Sequence, residues 1–190
     1  MKHIVSAFDM ERQLRQGDII LYPTDTVWGL GCLATLDAQI SMVYKIKDRP
    51  RQEGIILLCG DLNHLGLSLD AQVKGDIERM RMECATTFVV PNTNPRLKAT
   101  EALDGSIAFR IMDESSYLSS ILKGLGLPLL STSANLKGKP AAQKQNELDP
   151  KLIQQVDGVV DFIDSQGGKT PSRILKYDRS SVSNWVILRG

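Results

Sequence analysis

Short apolar runs alternate along the chain with longer stretches in which apolar residues recur every three or four positions. The short runs are rich in β-branched residues and bounded by Gly, Pro, Asp or Asn, the signature of strands. They predict strands over 19–22, 55–59, 87–90, 107–111, 128–131, 159–163, 172–175 and 186–188. The longer period predicts helices over 9–16, 37–46, 71–82, 115–125 and 147–156. In the second helix Ile40, Val43, Tyr44 and Lys47 fall on one stripe, with a charged end. Strands interleaved with helices give an α/β fold. The irregular strand spacing, with some strands following one another closely, favours a mixed sheet over a purely parallel one.

Two polar stretches, 137–145 and 166–171, read as exposed loops, and neither is long enough to link domains. The chain of 190 residues can bury one sizeable core or two small ones. Its composition, 42% hydrophobic and 24% charged, is that of a globular protein in water. With a net charge of +1, any contact with nucleic acid must come from a local patch. Cys32, Cys59 and Cys84 are odd in number and widely spaced, with no CxxC. That argues against a disulfide framework and a zinc site, and fits reduced thiols in the cytosol. No apolar run is long enough to span a bilayer, and residues 1–11 lack an apolar signal core, so the expected location is cytoplasmic. His3 and His64 have no recognisable Asp/Ser partner pattern, which makes histidine chemistry a poor expectation.

Four segments carry chemistry. In Leu129-Leu130-Ser131-Thr132-Ser133-Ala134-Asn135 an apolar strand runs into neutral hydroxyls and an amide. These groups donate and accept without a charge to neutralise, which suits the wall of a polar ligand site. They also suit a strand end followed by a helix cap. In Tyr22-Pro23-Thr24-Asp25-Thr26-Val27-Trp28-Gly29-Leu30-Gly31 a strand leads past a carboxylate and an aromatic into two glycines that permit close approach. A β-turn with a packed Trp accounts for this segment equally well. Lys45-Ile46-Lys47-Asp48-Arg49-Pro50-Arg51 places four cations in seven positions at a helix end. Such a cluster is either a solvated helix terminus or a phosphate site, with Arg as a bidentate fork and Lys as a point charge. Arg110, inside the apolar strand 107–111, needs a partner. That partner is a structural carboxylate or an anionic ligand.

Together these segments resemble the YrdC family, the threonylcarbamoyl-AMP synthases also called TsaC. The matching pieces are Tyr22–Gly31, Lys47-x-Arg49-Pro50, Arg110, Ser131-Thr132-Ser133-Ala134-Asn135, Pro171-Ser172 and the terminal Leu188-Arg189-Gly190, in family order over nearly the whole chain. The resemblance implies a twisted mixed sheet flanked by helices around a large concave basic cavity. It also implies one domain over 1–190. The reaction implied joins L-threonine, bicarbonate and ATP into L-threonylcarbamoyl-AMP and pyrophosphate. Other proteins then transfer the threonylcarbamoyl group to a tRNA adenosine beside the anticodon.

On this resemblance Lys47 and Arg49 are the catalytic cations on the phosphates, with Lys45 assisting and Arg189 reaching the nucleotide. Arg110 pairs with the threonine carboxylate, and Thr26, Ser131 and Ser172 bond the threonine. Ser106, Ser133 and Asn135 bond the nucleotide. Magnesium comes with ATP, and no protein-held metal is expected. The family's basic surface also suits tRNA or double-stranded RNA, so an RNA-binding module without turnover is the alternative. A carbamoyl-phosphate-using relative is a third reading, against which the short chain counts. Where the family has a Pro-Gly-Pro loop, this chain has Met82-Glu83-Cys84-Ala85-Thr86-Thr87-Phe88. That departure implies an altered loop near the nucleotide or a divergent paralogue.

Overall fold

The computed structural model describes residues 2–50, 55–163, 172–181 and 184–189. The expected loop over 166–171, Arg51 of the basic cluster and the terminal Gly190 lie outside the described residues. In chain order the elements are β1 (Lys2–Ile4), α1 (Ala7–Arg15), β2 (Ile20–Tyr22), β3 (Gly29–Leu33), α2 (Asp37–Ile46) and β4 (Ile56–Cys59). They continue with α3 (Ala71–Glu83), β5 (Thr86–Pro91), β6 (Ser106–Ile111), α4 (Tyr117–Leu125) and β7 (Leu129–Ser133). The last are α5 (Pro150–Ile153), β8 (Gly158–Val160), β9 (Arg173–Tyr177) and β10 (Trp185–Arg189). Side-chain caps fix the helix starts: Ser6, Asp70 and Ser116 each accept a backbone N–H of the first turn of α1, α3 and α4. Gly126, left-handed at φ 65°, closes α4.

The ten strands among the described residues join one sheet in the order β1-β8-β2-β3-β7-β4-β6-β5-β9-β10. It is mixed: β1–β8, β2–β8, β4–β6 and β5–β9 pair in parallel, whereas β2–β3, β3–β7, β4–β7, β5–β6 and β9–β10 pair antiparallel. Side chains alternate between the faces, as the pleat requires. One face carries Leu21, Leu30, Leu57, Phe88, Phe109 and Leu130, and it packs under α2 (Ile40, Val43) and α3 (Val73, Ile77, Met80). The other carries Ile4, Ile20, Leu33, Leu58 and Leu129 under α1 (Met10, Leu14) and α4 (Leu118, Ile121, Leu122). Further along this second face lie Ile56, Thr87, Val89, Ala108, Arg110, Ser131 and Ile174, and there they line an open cavity.

The structure departs from the sequence expectation at three places. No strand was expected over 29–33, where a β-turn with a packed Trp and a site segment were both open readings; β3 is a fully buried strand between β2 and β7. β1 is three residues long and two of them, Lys2 and His3, are polar, so it gave no strand signal. The helix expected over 147–156 shrinks to α5 after a short 3₁₀ turn at Gln145–Glu147. Pro150 has no N–H to extend a preceding helix, so it starts a new one, capped by Asp149.

Candidate functional site

The cavity has a volume of about 600 Å³, within the ordinary range for a small-molecule site. Its floor is the uncovered part of the sheet. Hydroxyls of Thr24, Thr26, Thr87, Ser131, Thr132, Ser133 and Ser172 line it together with the guanidinium groups of Arg49, Arg110 and Arg189. Asp25 is the only carboxylate among the described lining residues.

Thr24 builds the rim between β2 and β3. Its Oγ1 accepts from the N–H groups of Thr26 and Val27 and donates to the Val27 carbonyl. This side-chain turn presents Asp25 and Thr26 to the cavity. Asp25 Oδ2 accepts from Arg110 Nη2. The two readings of Arg110 therefore coincide: it has a structural carboxylate partner, and both partners line the cavity.

The end of α2 separates the basic cluster into three directions. Asp48 is left-handed at φ 44°, its N–H donates to the Lys45 carbonyl, and the Arg49 N–H donates to the Tyr44 carbonyl. These are the paired bonds of a Schellman turn, with Asp where Gly is usual. The turn sends Arg49 into the cavity and leaves Lys45 exposed on the outside. Lys47 stays on the buried stripe. Its Nζ donates to the carbonyls of Ser133 and Asn135 and to Asn135 Oδ1, at 2.7, 2.5 and 2.8 Å. All three ammonium protons are thus held by one turn, and Lys47 does not line the cavity. Burial, followed by the neighbouring Arg49, pushes its pKa down to about 8.

Across the cavity, Ser172 Oγ lies 2.9 Å from the buried Thr87 Oγ1. Arg189 Nε and Nη2 donate to the Ser172 carbonyl at 3.0 and 2.9 Å, which ties β10 to the start of β9. Behind the opposite wall, the Tyr22 phenol donates to Ser131 Oγ at 2.6 Å.

Of the expected site residues, Thr26, Arg49, Arg110, Ser131, Ser133, Ser172 and Arg189 meet at the cavity. Lys45, Lys47, Ser106 and Asn135 are not among its lining. Ser106 sits at the far end of β6 from Arg110, where its Oγ donates to Asp104. Asn135 lies one layer back, and its Oδ1 accepts from Ser133 Oγ as well as from Lys47. Sequence reasoning missed Asp25, Thr87 and Tyr22 as site residues. Asp25 was visible as a carboxylate between two threonines, but nothing in the order of residues links it to Arg110. Glu83, the unexpected acid, ends α3 and pairs with Arg79 and Arg173, outside the described lining.

The family profile Sua5_yciO_yrdC, described as Telomere recombination, matches residues 12–190. Threonylcarbamoyl-AMP synthase of Stenotrophomonas maltophilia (strain K279a) is 37% identical over 153 residues, covering 78% of this chain and 81% of that protein. Among solved structures, H234A/Y235A Sua5 of P. abyssi superposes with a TM-score of 0.80 at 20% identity. The match covers 99% of this chain but 59% of the Sua5 chain, so this chain spans little more than half of that relative. P. abyssi Sua5 complexed with L-threonine gives a TM-score of 0.77 at 19% identity, covering 100% of this chain and 57% of that one. At such identities these structures establish the shared fold.

Proposed function

The chain belongs to the Sua5/YciO/YrdC family, and from that premise we propose that its cavity makes L-threonylcarbamoyl-AMP and pyrophosphate from L-threonine, bicarbonate and ATP. The observation that carries this reading is the meeting of three arginines from distant segments, Arg49, Arg110 and Arg189, with a row of neutral hydroxyls on one uncovered sheet face. A cationic and a neutral wall suit a substrate pair of which one is a polyanion and the other a small amino acid. The S. maltophilia relative is named for this reaction, and a Sua5 structure contains L-threonine.

The amine of threonine and bicarbonate condense, with loss of water, to an N-carboxylate. One of its oxygens attacks the α-phosphorus of ATP, and the bond to pyrophosphate breaks. Charge gathers on the phosphates, so preorganised cations are the main requirement. Arg49 and Arg189 hold the phosphates. Arg110 leaves or shares Asp25 to take the threonine carboxylate, and Thr26, Ser131 and Ser172 orient the rest of that substrate. Ser133 contacts the nucleotide. Lys47 acts through the Ser133–Asn135 turn that it holds, so its role in the reaction is positioning.

Magnesium enters with the triphosphate, as is usual for this ion. Asp25 is the carboxylate nearest at hand, and no group of three His, Cys, Asp or Glu side chains among the described residues forms a protein-held metal site. The threonylcarbamoyl group of the product then passes to tRNA through the proteins that perform the transfer, with release of AMP, and the cytoplasm is the location this reading implies. No helix of the described residues is long and apolar enough to cross a membrane.

The test incubates the chain with ATP, bicarbonate and labelled threonine, and follows the adenylate and pyrophosphate. Formation of both is expected, with a drop of about 100-fold or more in Arg49→Ala. No threonine-dependent pyrophosphate, or Arg49→Ala at the wild-type rate, overturns the reading.

A further inference from the structure

Tyr22 reaches across a neighbouring strand. It lies on β2, opposite Gly29 of β3, and Gly31 of β3 lies opposite Ser131 of β7. The phenol therefore passes over β3 to meet a side chain two strands away. Both glycines make this passage possible. A Cβ at Gly29 would come within 2.9 Å of the Tyr22 ring, and one at Gly31 would lie 3.0 Å from its hydroxyl and collide with the Leu130 carbonyl. Neither glycine has a positive φ, so both are there for closeness and not for backbone freedom.

The bond at the end of this passage has a direction. Tyr22 O–H donates and Ser131 Oγ accepts, at 2.6 Å. Tyr22 is fully buried, and burial raises its pKa, so the phenol keeps its proton at every working pH. A serine hydroxyl that accepts one bond still has its own proton to give. Ser131 lines the cavity, so the proton is available there.

We infer that Tyr22 is a positioning residue that fixes Ser131 as a hydrogen-bond donor to the amino-acid substrate, with Gly29 and Gly31 serving as the channel for its ring. The wall at Ser131 thereby offers a proton to an acceptor oxygen of the substrate, carboxylate or hydroxyl. This rests on the proposed binding of threonine in the same cavity.

Calorimetric titration of the full chain with L-threonine, and separately with ATP, tests it. Tyr22→Phe keeps the ring and removes only the donor. It is expected to weaken threonine binding about tenfold, a single hydrogen bond's worth. ATP affinity and melting temperature should stay close to wild type. Ser131→Ala should weaken threonine binding at least as much, and Tyr22→Phe combined with Ser131→Ala should bind no worse than Ser131→Ala alone. Unchanged threonine affinity in Tyr22→Phe, additive losses in the double variant, or equal losses for ATP and threonine would each overturn the inference. Absence of threonine binding by the wild-type chain would overturn the proposed function, and this inference with it.

Discussion

Leu130 and Ser131, Phe109 and Arg110, and Phe88 and Thr87 are neighbours in sequence that belong to opposite sides of the same sheet. The first of each pair is fully buried in the apolar layer under α2 and α3. The second, also buried though less completely, looks into the cavity. One face is closed by helices along its length. The other is covered by α1 and α4 only over part of its width, and the uncovered strands hold the site. The contrast shows how a sheet can serve as a core and a reaction surface without a separate scaffold: the pleat assigns each residue to one task.

That contrast can be broken from either side. On the closed face, Phe109→Ala removes a ring packed 5.7 Å from Phe88. It should cost about 3–5 kcal/mol in denaturant unfolding while the folded fraction keeps its threonine affinity. A large loss of affinity with little loss of stability would abolish the division of labour. On the open face, Arg110→Met should do the reverse. Threonine binding should weaken by about 2–5 kcal/mol, as for truncation of one member of a buried charge pair. Stability should change by about 1 kcal/mol or less, because the Asp25 side chain left behind is 41% exposed and can be hydrated.

Lys47 bridges the two behaviours. Its pKa is pushed down to about 8 from 10.5, by burial and by Arg49. Between those values the unfolded chain holds the proton that the folded chain has released, so folding stability rises with pH across this window. The stability of the wild type relative to Lys47→Met should therefore climb between pH 8 and 10, and a flat difference would refute the assignment. A neutral amine also gives up one of the three bonds to the Ser133–Asn135 turn. Product formation should accordingly fall above pH 8, with that limb moved upward in Lys47→Arg. The smallest effect is expected at Glu83→Gln, on exposed pairs with Arg79 and Arg173. Stability should shift by about 0.5 kcal/mol or less and turnover should stay the same; a clear change in ATP affinity would bring the end of α3 into the site.

Much of this arrangement was legible in the sequence. The mixed α/β sheet followed from strand and helix periods, and seven of the eleven expected site residues meet in the cavity. The alternation of a strand is a local property, so Ser131 and Ser133 could be placed on one face from β7 alone. The Lys47/Arg49 division could not. Both follow the same helix, and the left-handed Asp48 between them gives no sequence signal as strong as glycine would. Nor could the Arg110–Asp25 and Tyr22–Ser131 partnerships be read, because each joins strands whose adjacency depends on the sheet order. Gly29 and Gly31 left a turn and a close approach both open for a related reason: glycine serves either, and here it marks a place where an aromatic ring crosses a strand.

The sheet order also governs when the site can exist during folding. Tyr22 meets Ser131 across 109 residues, and Arg110 meets Asp25, and Thr87 meets Ser172, across 85. Each wall contact closes a long loop, and that entropy must be overcome before the contact rewards it. Chains dominated by such pairings fold on the order of milliseconds to seconds, far slower than helical bundles of similar stability. During synthesis the pocket stays unassembled until β9 and β10, which follow the other strands in chain order, have been released. Ligand-dependent resistance to proteolysis would thus report the arrival of β9 and β10 in the sheet, and no fragment ending at β7 should show it.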